Sequence, residues 1–178
     1  MNIRLYHYYE REIGPFRNLS ELPETEAQNV MDEIAREGAV FASKRPPDYM
    51  SVRRQLEARA RALFIEKGGK PTLLYPHYMT LGPCEWLMSW YKDGQALSSP
   101  WEAFEPGIVS FTYGDLFPTM RYRDGKPYRE RIYGKDEILE LIDRYGWPQS
   151  WNADGSRGPE RYIEAQIWDD RPLKRYLP

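Results

Sequence analysis

The stretch 107–120, GIVSFTYGDLFPTM, constrains this chain more than any other. Ile108, Val109, Phe111, Thr112 and Tyr113 form the densest run of β-branched and aromatic side chains in the sequence. Pro106 and Gly107 precede it, and Gly114 and Asp115 follow it. Such a run between turn residues predicts a buried strand. It reads as the central strand of a sheet, with the remaining segments as its neighbours or its cover.

Two further strands stand out. In 3–9, IRLYHYY, Ile3, Leu5, His7 and Tyr9 share one face, and Arg4, Tyr6 and Tyr8 the other. In 162–168, YIEAQIW, Glu164 and Gln166 alternate with apolar residues. Short strands are also expected at 39–42 and 72–75, the second cut off by Pro76. Three helices are predicted by apolar recurrence at helical spacing. The first carries Ala27, Val30, Met31 and Ile34 and stops at Gly38; the second, 49–66, carries Tyr49, Val52, Leu56, Ala60, Leu63 and Phe64. The third carries Ile138, Leu141, Ile142 and Tyr145 and stops at Gly146. Arg53, Arg54, Arg59 and Arg61 lie off the second stripe and read as a solvated face.

Two segments follow turn signals instead. Asp93-Gly94 after 84–91 predicts a hairpin in preference to the helix that Gly82-Pro83 could open there. Asp124-Gly125 predicts a second hairpin across 121–133. The expected fold is therefore α+β: a mostly antiparallel sheet with about three helices packed around it, in one domain, 1–178.

Composition bounds the function classes. The chain carries 15% aromatic residues, which argues against disorder, and a net charge of −2 with pI ≈ 5.8, which argues against a general nucleic-acid binder. No apolar run approaches the roughly 18 residues of a membrane span, so no membrane partner is expected. MNIRLYHYYERE lacks the apolar core of a secretory signal, and Cys84 is the only cysteine. A cytoplasmic protein is the expectation, with no disulfide and no metal site.

The candidate chemistry is spread along the chain. Cys84 would lie in the first turn of a helix opened by Gly82-Pro83, where the positive dipole end favours a thiolate, with His77 as the candidate base. The histidines do not fit the two-histidine phosphoesterase pattern, because the hydroxyl of Thr80 falls at i+3 from His77 and position i+2 from His7 is Tyr9. Across 121–133, Arg121, Arg123 and Arg129 interleave with Tyr128, a combination suited to single-stranded nucleic acid but equally to a charged sheet edge. Trp147 and Trp151 in WPQSW form either a ligand or partner patch or a lid folded onto the core.

One layout unites several of these residues. Tyr6-His7-Tyr8 on a strand, a helix ending Arg36-Glu37-Gly38, then Val40-Phe41-Ala42-Ser43, resembles the opening unit of ADP-ribosyltransferases. A late strand bearing a glutamate completes that resemblance, and Glu164 occupies such a place. The resemblance implies NAD as cofactor, His7 on a ribose hydroxyl, Tyr6 and Tyr8 as ligand-stacking rings, and Glu164 at the oxocarbenium-like centre. The functional expectation is thus a pocket for a nucleotide-type ligand, with His7 and Glu164 as the catalytic pair. The alternative is a non-catalytic binding protein using the 121–133 hairpin or the Trp147–Trp151 loop.

Overall fold

The computed structural model describes residues 3–177. Five strands form one sheet in the order β3-β1-β2-β5-β4, and every neighbouring pair is antiparallel. They are β1 (Arg4–Glu10), β2 (His77–Leu81), β3 (Gly94–Pro100), β4 (Val109–Thr112) and β5 (Ile163–Ile167). The helices are α1 (Glu24–Glu37), α2 (Tyr49–Glu66), α3 (Leu116–Arg121), α4 (Lys135–Tyr145) and α5 (Pro148–Trp151). The three long ones are those the apolar stripes predict, and the fold is α+β.

Strand alternation gives the sheet two unlike faces. One carries Leu5, Met79, Leu81, Val109, Phe111, Ile163, Ala165 and Ile167, all buried in the main core with Phe104, Tyr113 and Ile138 and Ile142 of α4. The other face carries polar side chains in register. Tyr6 pairs with Thr80, Thr80 with Glu164 and Glu164 with Thr112; in the next row Tyr78 pairs with Gln166 and Gln166 with Ser110. A smaller apolar cluster covers part of this face, built from Leu56, Ala60 and Phe64 of α2 with Leu116, Met120, Ile132 and Trp168.

Several elements depart from expectation. The 108–113 run is an edge strand rather than the centre: β4 pairs with β5 on one side and meets only Tyr133 on the other, through Phe111. The central position belongs to β2, which begins immediately after Pro76. Residues 72–75 form no strand; Thr72 and Leu73 donate their N–H groups to the Trp168 carbonyl. At 39–42 the chain turns into a short 3-10 segment, Phe41–Lys44, because Ser43 returns both its N–H and its hydroxyl to the Val40 carbonyl.

The hairpin expected at 84–91 is also absent. Glu85–Trp90 winds as a 3-10 helix, and the Asp93-Gly94 turn delivers the chain to β3, whose partner is β1. The 121–133 segment is not a hairpin either. Its Gly125 turn forms, at φ 75°, but Pro127 has no N–H to give a ladder, and the Asp124 carboxylate binds Arg129 instead. Of the four arginines of α2, Arg59 is exposed as expected, whereas the other three turn inward. Arg53 is buried, Arg54 donates to the Leu22 carbonyl, Arg61 donates to Leu73 and Pro71, and Arg59 pairs with Glu130.

Candidate functional site

The site is the polar face of β5 and its neighbours. A chain of hydrogen bonds sets the direction of every group in it. Trp168 Nε1 can only donate, and it donates to Ser110 Oγ at 2.9 Å; Ser110 in turn donates to Gln166 Oε1 at 2.9 Å. That fixes the Gln166 amide with Nε2 toward Thr112 Oγ1 and Glu164 Oε1, each at 3.1 Å. Glu164 Oε1 also accepts the Leu116 N–H at 3.3 Å.

A second carboxyl stands beside it. Asp115 caps α3, accepting the Phe117 N–H on Oδ1 at 2.8 Å and the Tyr162 hydroxyl on Oδ2 at 2.7 Å. Burial pushes the Glu164 carboxyl well above the usual range, and the Asp115 charge adds to this; the Gln166 amide, the Arg53 charge and the Leu116 N–H oppose it without prevailing. Burial and Asp115 thus favour the protonated form of Glu164, and Asp115 is bound by two donors. Tyr162 is pushed well above its ordinary value by burial and by Asp115, so its hydroxyl remains a donor.

The α2 side of the face holds a third carboxyl. Glu57 is fully buried, and its Oε1 accepts from Ser20 Oγ at 2.9 Å, Arg53 Nε at 2.9 Å and the Tyr78 hydroxyl at 2.7 Å, while Oε2 has no partner among the described residues. Arg53 reaches Asn18 Oδ1 at 3.1 Å and lies 4.9 Å from the Tyr78 ring centre. Along the seam between α2 and α3, the Tyr49 and Phe117 rings stack 4.9 Å apart and 4° from parallel. Arg45 lies 4.5 Å from the centre of the Tyr49 ring and 5.6 Å from that of Trp90. Burial raises the Tyr91 hydroxyl, and the charges of Arg45, Arg53 and Glu164 also act on it.

The predicted site residues are distributed as follows. His7 projects to the opposite face from Glu164, so the two are not brought together. The Phe16 N–H donates to His7 Nε2 at 2.9 Å, which leaves Nδ1 to carry the proton and donate to the Tyr78 carbonyl at 2.9 Å. Phe16 also stacks on the ring at 3.9 Å. Both nitrogens are therefore engaged in holding β1, β2 and the 11–18 loop together. Burial lowers His7 to about 4, with the His77 charge adding to it and the Tyr78 bond opposing.

Cys84 and His77 are likewise separate. His77 begins β2 and binds Asp170 Oδ1 at 2.8 Å, whereas Cys84 lies beyond the far end of that strand, with its N–H on the Tyr8 hydroxyl at 2.6 Å. Burial raises the Cys84 thiol, the reverse of what a dipole-activated nucleophile needs. Tyr8 is itself buried, while Tyr6 and Trp147 line a shallow cleft of about 430 Å³ with Arg4, Gly82 and Gln149. Trp147 and Trp151 are half-buried against the main core, Trp151 donating to the Tyr113 hydroxyl, so the WPQSW segment folds inward as a lid.

The basic residues of 121–133 are largely spent inside the protein. Arg129 is buried between Asp124 at 2.6 Å and Glu160 at 2.5 Å, Lys126 binds Glu160 at 2.8 Å, and Arg123 pairs with Glu130. Tyr128 packs against Tyr113 and Tyr145, and Arg121 is exposed. An array of free cations interleaved with free rings, which nucleic acid would need, is not assembled.

Ser110, Thr112, Tyr162, Arg53 and Glu57 are not legible as site residues from helix or strand period alone. The available signal is the polar alternation inside two otherwise apolar strands, VSFT and IEAQI: residues of that pattern face water in an exposed sheet and each other in a covered one. No protein-family model, curated protein or solved structure matches the chain. No helix among the described residues is long and apolar enough to cross a membrane.

Proposed function

We propose that the protein is an enzyme acting on the sugar–base bond of a nucleotide-type small molecule, with Glu164 as its proton donor. The observation that carries this reading is the pairing of two unequal carboxyls on one covered sheet face. Burial and the Asp115 charge raise the Glu164 carboxyl well above its ordinary range, and Asp115 is bound by the Tyr162 hydroxyl and the Phe117 N–H. Separating two neighbouring carboxyls in this way divides acid and charge-stabilising roles between them.

The step is an N-glycosidic cleavage. The C–N bond breaks, its electron pair leaves with the base, and the Glu164 proton goes to the base nitrogen. Asp115 stabilises the positive charge that develops on the sugar. A water or other acceptor oxygen then bonds to the sugar carbon and returns a proton to Glu164. The rings of Tyr49, Tyr78 and Phe117 border the same face, with Arg53 held over Tyr78 and paired with Glu57.

NAD belongs in the same test, because its nicotinamide leaves without needing a proton. Transfer from NAD requires the ionised Glu164, so its rate would rise with pH through the Glu164 titration. Cleavage of a neutral base requires the protonated form, and its rate would fall. Purified protein incubated with NAD and with nucleoside monophosphates, and followed by chromatography of the released base, tests both. The expected result is release of a neutral base by the wild type, falling as pH rises and falling by at least about a hundredfold in Glu164→Gln. Release of nicotinamide alone, rising with pH, would overturn the proton-donor role. Release from none of these substrates, or release unchanged by the substitution, would overturn the proposal.

A further inference from the structure

The cleft of about 430 Å³ at the start of β1 opens to solvent, and no aspartate or glutamate lines it among the described residues. Its polar side chains are those of Arg4, Tyr6, Trp147, Gln149 and Ser150. Gly82 forms part of the wall. A Cβ there would stand 3.4 Å from both the Trp147 ring and the Gln149 amide, so the missing side chain leaves room beside them.

Arg4 is held in a fixed direction. Its Nε donates to Ser98 Oγ at 3.0 Å and its Nη2 to the Ser98 carbonyl at 3.1 Å, which clamps one edge of the guanidinium to β3. Nη1 and the second Nη2 hydrogen form the other edge. Nη1 makes no hydrogen bond with the described residues and is not sealed from solvent. Arg4 also joins no ion pair among those residues. A cation with one edge anchored and the other unspent matches a carboxylate in two parallel hydrogen bonds.

The neighbouring groups favour the same ligand. The Trp147 indole N–H and the Tyr6 hydroxyl are unpartnered among the described residues and reachable by solvent. Gln149 spends its Nε2 on the Leu81 carbonyl at 2.6 Å, and its Oε1 is shut off from solvent. The reachable side-chain groups therefore all can donate, and they ask for an acceptor. One uncompensated cation matches a single negative charge, and the Trp147 and Tyr6 rings match a flat apolar body.

We infer that this cleft is a binding site for a small aromatic carboxylate, its carboxylate on the free edge of Arg4 and its ring against Trp147 and Tyr6. The inference stands apart from the reading of the Glu164 site.

The test is titration of the isotopically labelled full chain, followed through its indole and amide N–H signals by magnetic resonance. The probes are naphthoate, its neutral isostere naphthamide, acetate and inorganic phosphate. The Trp147 indole signal is identified by its loss in Trp147→Phe. Naphthoate is expected to shift that signal saturably, with Kd of about 1 mM or tighter, and to bind at least about tenfold tighter than the other three probes. Arg4→Gln keeps a donor for Ser98 and should weaken naphthoate by at least about tenfold, with Arg4→Lys in between. The comparison of naphthoate with naphthamide uses the wild type alone, so it holds even if a variant folds poorly. No saturable shift at Trp147, equal affinity for naphthoate and naphthamide, or unchanged binding in a folded Arg4→Gln would overturn the inference. Acetate or phosphate binding as tightly as naphthoate would overturn the aromatic part of it.

Discussion

Glu164 is an energetic burden that the fold tolerates. In the unfolded chain it ionises in the usual carboxylate range, whereas in the folded protein burial and Asp115 hold the proton on to much higher pH. Between those two values the folded state binds more protons, so this residue's contribution to stability falls as pH rises. A glutamine at this position would accept the same N–H groups from Leu116 and Gln166 without any charge to suppress. Glu164→Gln is therefore expected to melt at or above the wild-type temperature, with a gap that widens from about pH 4.5 toward neutrality. Melting curves across that range check it, and a gap that is constant or reversed would contradict the protonated assignment.

At the level of elements, the buried Arg53–Glu57 pair joins α2 to the sheet through Tyr78 and to the loop at Ser20. Glu57→Ala leaves Arg53 charged in a dry site and two hydroxyls without their acceptor, a loss of about 3–5 kcal/mol. Urea denaturation measures this, and Glu57→Ala combined with Arg53→Met should cost less than the sum of the two single changes. The His7 clip between β1 and β2 gives an opposite pH signature to Glu164. Its folded value of about 4 lies below the ordinary 6.5, so the unfolded chain takes up the proton first. Stability contributed by His7 is present above about pH 6.5 and is lost as pH falls toward 4, by about 3 kcal/mol at most. His7→Gln should flatten that part of the profile in denaturant titrations at several pH values. A profile as steep in the variant as in the wild type would place the acid sensitivity elsewhere.

These same elements explain which parts of the architecture the sequence discloses. The three long helices are legible because each buries one stripe and ends at a recognisable stop, as at Gly38 with φ 63°. The Asp93-Gly94 and Asp124-Gly125 turns are equally real, yet neither closes a hairpin. Local signals report a reversal of the chain and not the partner it meets: β3 finds β1, and the residues after Gly125 find Glu160 and Asp124. The apolar run 108–113 announces burial correctly, but burial does not specify centre or edge. β4 is buried at an edge because the main core and the polar network cover its two faces and Tyr133 caps its free side. The expected pairing of His7 with Glu164 fails for a related reason. Period-2 alternation places Glu164 opposite to the apolar core, but it cannot say that His7 faces the core side.

Taken as a whole, the molecule has a conventional apolar core on one face of its sheet and a hydrogen-bonded polar interior on the other. Apolar side chains in that second interior would stabilise the protein more simply, since buried carboxyls are costly unless every group finds a partner. The arrangement makes sense if the polar face is where the chemistry occurs, and that depends on Glu164 carrying a proton at neutral pH. Infrared difference spectroscopy of wild type minus Glu164→Gln, recorded from about pH 5 to 8, reads that proton directly. The expected result is a protonated-carboxyl C=O band assigned to Glu164 that persists at neutral pH. A carboxylate band with no protonated component at neutral pH would contradict it and remove the acid from the proposed mechanism.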